Sequence, residues 1–126
     1  MPLLANVLIT TARSVRNATT GTTAAPTTSL VAIPAHAEPM NAVKYAGFGD
    51  AAVSCDYVLV VDSGTDIVEN DRISSMVLMS DGTTAWPDDQ TAHEFFDVKM
   101  HLEQAALLLP ARLLFVSRVR GGGPAH

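Results

Sequence analysis

The sequence predicts a mainly β fold: a small single-domain barrel or sandwich with a long polar loop and at most one or two short helices. Three observations carry this expectation. Apolar, β-branched blocks such as Tyr57-Val-Leu-Val-Val61 recur at short intervals. Clusters of Gly, Pro, Asn and Asp separate them, as turns separate strands. From Phe96 to Leu102 apolar and polar residues alternate, which is the period of a strand and not of a helix. A chain of 126 residues fits one domain, which we place at residues 1–120.

Leu4 to Thr10 is short, apolar and ends in β-branched residues, so it reads as the first strand. Residues 14–29 follow, with six Thr, two Ser, one Gly, one Pro and a single large aliphatic residue, Val15. That composition builds no core, so we expect a projecting loop that orders against a neighbour, with Asn17, Thr19, Thr20, Gly21, Thr22, Thr23, Pro26, Thr27 and Thr28 as an interface arm. Leu30 to Ala37 reads as the second strand. Pro34 cannot donate to a ladder, which predicts an edge position or a bulge there. Pro39 to Ala46 forms a short helix or irregular turn, closed by Gly47 and Gly49. Val53 to Asp62 is the third strand, ended by Ser63-Gly64. Ile67 to Arg72 is a connection with Asn70-Asp71 as its turn. Ile73 to Met79 is a strand, and Asp81-Gly82 is a hairpin signal with Thr83 to Trp86 as the returning arm. The strand around Phe96 has Phe96, Val98, Met100 and Leu102 on its core face. Glu103 to Leu109 is a short helix or link, Ala111 to Val119 the last strand, and residues 121–126 a flexible glycine-rich tail.

Composition narrows the function classes. Only 17% of residues are charged, below the usual quarter, so part of the surface is available to a partner. The net charge of -5 argues against a protein that grips nucleic acid by neutralising phosphates. Eleven of the thirteen acids lie between Asp50 and Asp97, with Arg72 the one cation among them, so a folded barrel is expected to carry an acidic face. A single cysteine, Cys55, excludes an internal disulfide, and it reads as a small buried residue. The apolar N-terminus lacks a preceding basic region, Arg13 coming after it, which makes it a poor signal peptide. No run approaches the roughly 20 apolar residues of a membrane-spanning helix, so no membrane partner is expected.

The search for chemistry yields little. There is no phosphate-binding glycine loop, dinucleotide fingerprint or nucleophile elbow. Asp62-Ser-Gly-Thr-Asp66 has two carboxylates around a glycine, but Gly64 stands where a calcium loop needs a ligand. His93, Glu94, Asp97 and His101 are close in sequence. On a strand His93, Asp97 and His101 share the face opposite the core, which is a solvent or partner face. We therefore expect no enzyme, no metal and no cofactor. Trp86, the sole tryptophan, caps one end of the core or serves as an interface anchor.

The order of features resembles the head-closure, or stopper, proteins of the neck of tailed bacteriophages. The opening strand at Leu4 to Thr10 and the Thr/Gly loop come first. The strand Leu30-Val-Ala-Ile33 follows, then Asp56-Tyr-Val-Leu-Val-Val61 running into Thr65-Asp-Ile67 and Asn70-Asp-Arg-Ile73. Ser80-Asp-Gly82 is similar to the hairpin that follows in the family, and Arg112-Leu-Leu-Phe-Val-Ser-Arg118 to its closing strand; Thr84 to Leu109 is longer than the corresponding return. The resemblance implies a noncatalytic virion protein, made in the host cytoplasm. It would form a homo-oligomeric ring between portal or adaptor above and tail-terminator or tail proteins below. Such a ring retains packaged DNA and docks the tail. In it, Asp62, Asp66, Glu69 and Asp71 are expected to face the lumen and repel DNA. A capsid decoration or tail structural protein is the alternative, and a small β-barrel ligand-binding protein or enzyme the second.

Overall fold

The structure, a computed structural model, describes residues 5–14, 26–87, 94–104 and 110–120. Six strands, β1 (Val7–Arg13), β2 (Thr27–Pro39), β3 (Tyr57–Asp62), β4 (Arg72–Leu78), β5 (Glu94–Gln104) and β6 (Ala111–Arg120), close into an antiparallel barrel. Their order around the barrel is β1-β2-β3-β6-β5-β4. Between β2 and β3 lie two short helices, α1 (Ala42–Tyr45) and α2 (Asp50–Val53), joined by a 3-10 turn at Ala46–Phe48. The expected mainly β class with at most two short helices is therefore observed, and of the two architectures left open, barrel or sandwich, the chain adopts the barrel.

The apolar blocks of β3 and β6 are continuous because both faces of these strands are covered. Leu59 and Val61 of β3, with Leu114 and Val116 of β6, point into the barrel and are buried there beside Phe96 and Val98. Val58 and Phe115 point outward, where the helical insertion covers them with Tyr45, Ala52 and Cys55. Asn41 caps α1 by accepting the Lys44 N–H, and Tyr45 packs edge-on against Phe115 at 5.7 Å. Cys55 is buried in this outer cluster, as expected for a small apolar side chain.

Several boundaries move. The third strand starts at Tyr57 and not at Val53, because Asp50-Ala-Ala-Val53 forms α2 and buries Ala52 against the barrel. Gly49 enters that helix with a φ of 99°, a conformation that glycine adopts without steric cost. At the other end of β2, Thr27, Thr28 and Ser29 are strand, not loop. Thr27 pairs with Arg13 and Thr28 with Ala12, since the threonines meet a ready ladder in β1. Pro34 lies in the part of β2 that pairs with β1 but not with β3, next to a register irregularity at which Ala32 has a positive φ of 54°. The expected edge-and-bulge setting for the proline is thus present. The return after Asp81-Gly82 is reduced to one bridge, Val77 to Ala85, flanked by Leu78 N–H to Thr84 O and Trp86 N–H to Met76 O. Glu103 and Gln104 belong to β5.

The largest departure lies in β5. A register shift between Val98 and Met100 inserts Lys99 as a bulge. Before it, Phe96 and Val98 are core. After it, Met100 and Leu102 pair with Phe115 and Leu113 and pack in the outer cluster. The single core face read from the alternation is therefore two faces, and His101, paired with Leu114, turns to the side opposite Asp97.

Candidate functional site

The ends of β1 and β3 and the starts of β4 and β6 meet at one end of the barrel. There the β3–β4 loop, residues 63–71, folds back and places Ile67, fully buried, in the core. Four contacts hold this plug. First, Arg13 at the end of β1 donates through Nε and Nη2 to both carboxylate oxygens of Asp71, at 2.8 and 2.7 Å, and reaches Asp66 at 3.2 Å. Second, Arg112 of β6 donates to the Ile67 carbonyl at 3.0 Å and also to the Thr65 carbonyl and Glu103. Third, Glu103 accepts from the Ser63 hydroxyl at 2.6 Å and the Gly64 N–H at 3.3 Å. Fourth, Glu69 accepts the backbone N–H of His101 at 2.7 Å and contacts its ring Nδ1.

The electrostatics follow from these partners. The hydrogen bonds from Asp71, then from Asp66, hold the Arg13 guanidinium protonated well beyond its ordinary range. Arg13 in turn pulls the Asp66 carboxyl below its usual value. The Ser63 hydroxyl, then Arg112, bring Glu103 down to about 2. Partial burial pushes the Glu69 carboxyl up, but the side-chain and backbone hydrogen bonds from His101 outweigh it and leave Glu69 below its ordinary value.

These contacts change the picture of the acidic block. Asp62, Asp66, Glu69 and Asp71 do cluster at one barrel end. Asp71, however, is 2% exposed and paired with Arg13, so it faces neither solvent nor a lumen. Asp66, with its side chain 72% exposed, and Glu69 are outward but engaged, and Asp62 is exposed. Barrel closure brings Arg13 and Arg112, distant in sequence, onto the acids and reduces the expected charge segregation. The Asp62-to-Asp66 segment does not converge on a metal: Asp66 turns to Arg13, while Ser63 and Gly64 turn to Glu103. Among the described residues no group of three His, Cys, Asp or Glu side chains is placed to hold one.

The opposite end carries Trp86. Its ring packs edge-on against Tyr57 at 5.2 Å, and Tyr57 against Phe96 at 5.7 Å, so the tryptophan caps the core. Its remaining surface lines an open cleft of about 510 Å³ with Pro39, Asp56, Tyr57 and Pro87. Asp56 Oδ2 accepts the Arg118 N–H at 2.7 Å, fixing one rim. Of the arm residues, Asn17, Thr19, Thr20, Gly21, Thr22 and Thr23 lie outside the described residues, as does His93; Pro26 immediately precedes β2, and Thr27 and Thr28 are within it. Arg13, Arg112 and Ile67 were not singled out from sequence. The one local signal was the apolar pair Ile67-Val68 set between Asp66 and Glu69. Among the described residues no helix is long and apolar enough to cross a membrane. No family model matches the chain, and no curated protein is detectably similar to it in sequence.

Proposed function

We propose that this protein is a structural subunit of a tailed-phage neck, forming a ring that retains packaged DNA and docks the tail. One observation supports the reading best: the barrel is a filled block. Its interior is occupied by side chains such as Ile9, Leu59, Phe96 and Leu114, and one mouth is sealed by Ile67. Several of its described polar side chains brace the fold. Arg13, Glu103 and Arg112 hold a loop, and Glu38 joins Lys44 and Tyr45 to fix α1. A domain built this way offers surfaces and ends to neighbours. Among the described residues three large apolar side chains, Val31 at 65%, Val43 at 91% and Met79 at 40%, are exposed and suit such contacts. In a closed ring each copy uses two different patches, repeated until the ring closes.

Electron microscopy and native mass spectrometry of the purified protein, alone and with portal or adaptor rings, test this. A ring of fixed copy number supports the neck reading. A trimer that binds capsid shells supports the decoration alternative. A monomer under all these conditions removes the ring.

A further inference from the structure

The clamps on the 63–71 loop are of two chemical kinds. Arg13 and Arg112 stay charged at any working pH. The Glu69–His101 contact holds the one described side chain of the mouth whose type ordinarily changes charge between pH 5 and 8. We propose that this contact is a proton-operated latch on the loop, tight at mildly acidic pH and slack above neutrality.

The geometry carries the inference. The Lys99 bulge turns His101 to the face it shares with Leu114, toward the loop. A single oxygen, Glu69 Oε2, receives the His101 backbone N–H at 2.7 Å and faces ring Nδ1. A carboxylate only accepts, so Nδ1 must carry a proton for the contact to hold. A neutral imidazole has one proton for two nitrogens, and the Nε2–H form sets two lone pairs against each other. An imidazolium is protonated at both nitrogens and adds its charge. Protonation therefore closes the latch, and deprotonation leaves a weaker neutral bond or a repulsive one.

The surrounding charges do not supply the same response. Arg13 on β1 is committed to Asp66 and Asp71, and Arg112 on β6 to Glu103 of β5. Asp97 and Lys99 of β5 pair with each other at 3.9 Å, Arg72 of β4 stacks on Phe95, and Asp62 ends β3. Carboxylates and Lys or Arg side chains, as classes, do not ordinarily change charge between pH 5 and 8. The latch has a lower limit as well, because Glu69 itself takes up a proton in the acid range, below its ordinary value. What it controls is the plug: Ile67 lies two residues before Glu69 and is buried among core residues that include Ile73. The inference concerns the fold's own response to pH and is independent of the neck reading.

Amide hydrogen exchange of the intact protein at pH 5.5 and 8.0, corrected for intrinsic exchange, tests it. Protection of Ile67, Asn70 and His101 is expected to be about fivefold greater at pH 5.5, as a charge-assisted bond is stronger than a neutral one. His101→Gln, which keeps a donor but cannot titrate, is expected to abolish the difference. Equal protection at both pH values in the native protein, or an unchanged difference in H101Q, overturns the proposal. Nitrogen chemical shifts of the His101 ring provide a check that needs no variant. At pH 5.5 a ring protonated at both nitrogens is expected, and a ring that stays neutral at that pH overturns the latch.

Discussion

At the scale of the residue, Asp71 and Asp66 show how little a formal charge says before its surroundings are known. Both meet Arg13, yet Asp71 is buried, engaged on both oxygens and also accepts the Val68 N–H at 3.0 Å. Replacing it by alanine leaves the Arg13 Nε and the Val68 N–H without this acceptor, while Asp66 still holds the rest of the guanidinium, so Asp71→Ala is expected to cost about 1–3 kcal/mol in urea denaturation. Asp66→Ala, at a largely exposed carboxylate, is expected to change stability by less than about 0.5 kcal/mol. Equal effects of the two would remove the bracing role given to Asp71. Glu103 supplies a pH prediction. Its folded carboxyl is held at about 2 by Ser63 and Arg112. A depressed pKa stabilises the fold above the unfolded value, and this is lost as pH falls through the folded one. The contribution should therefore fade between about pH 4.5 and pH 2. Thermal melts of Glu103→Gln across that interval are expected to fall less steeply than those of the native chain.

At the scale of the element, β5 is the instructive strand. Its inserted Lys99 sends Val98 into the barrel and Met100 out beneath the helical insertion, and it alone allows His101 to reach Glu69. Deleting Lys99 restores simple alternation and turns every residue on one side of it to the wrong face. The deletion is expected to cost more than about 3 kcal/mol, or to abolish the cooperative melt, by exposing apolar and burying polar groups. A native-like melt would mean that the bulge is incidental. Lys99→Ala keeps the register and is expected to melt within a few degrees of the native protein.

At the scale of the whole molecule, the barrel has two chemically different ends. The sealed end is polar, clamped and on balance acidic; the other offers an aromatic and proline-lined cleft. In the proposed ring, Trp86 is the residue to test as an anchor. Trp86→Ala is expected to weaken assembly at least tenfold in native mass spectrometry while the monomer keeps a β-type circular dichroism spectrum. Assembly at native strength would confine Trp86 to capping the core. The lumen assignment is best tested with Asp62→Lys, because Asp66 and Glu69 also hold the loop. Rings that form normally but retain DNA longer would support lumen-facing acids, and unchanged DNA passage would place Asp62 outside. At physiological salt the field of such a band reaches only about 8 Å, so the effect requires a narrow lumen.

The β class, the strand blocks, Asp81-Gly82 and most of the core were legible in the sequence, because period, β-branching and turn chemistry are local properties of the chain. Phe96 and Val98 were readable in this way and are buried in the barrel, whereas Met100 and Leu102, read on the same face, lie in the outer cluster. The tertiary structure decided the rest. It made a helix of Asp50 to Val53, since Ala52 had an apolar face to cover, and it drew Thr27 and Thr28 into β2, since β1 offered them partners. It also joined Arg13 to Asp71 across 58 positions and His101 to Glu69 across 32. Such pairings depend on where a closed barrel brings strand ends together and on which strand carries an extra residue. Neither is written in the spacing of any one segment.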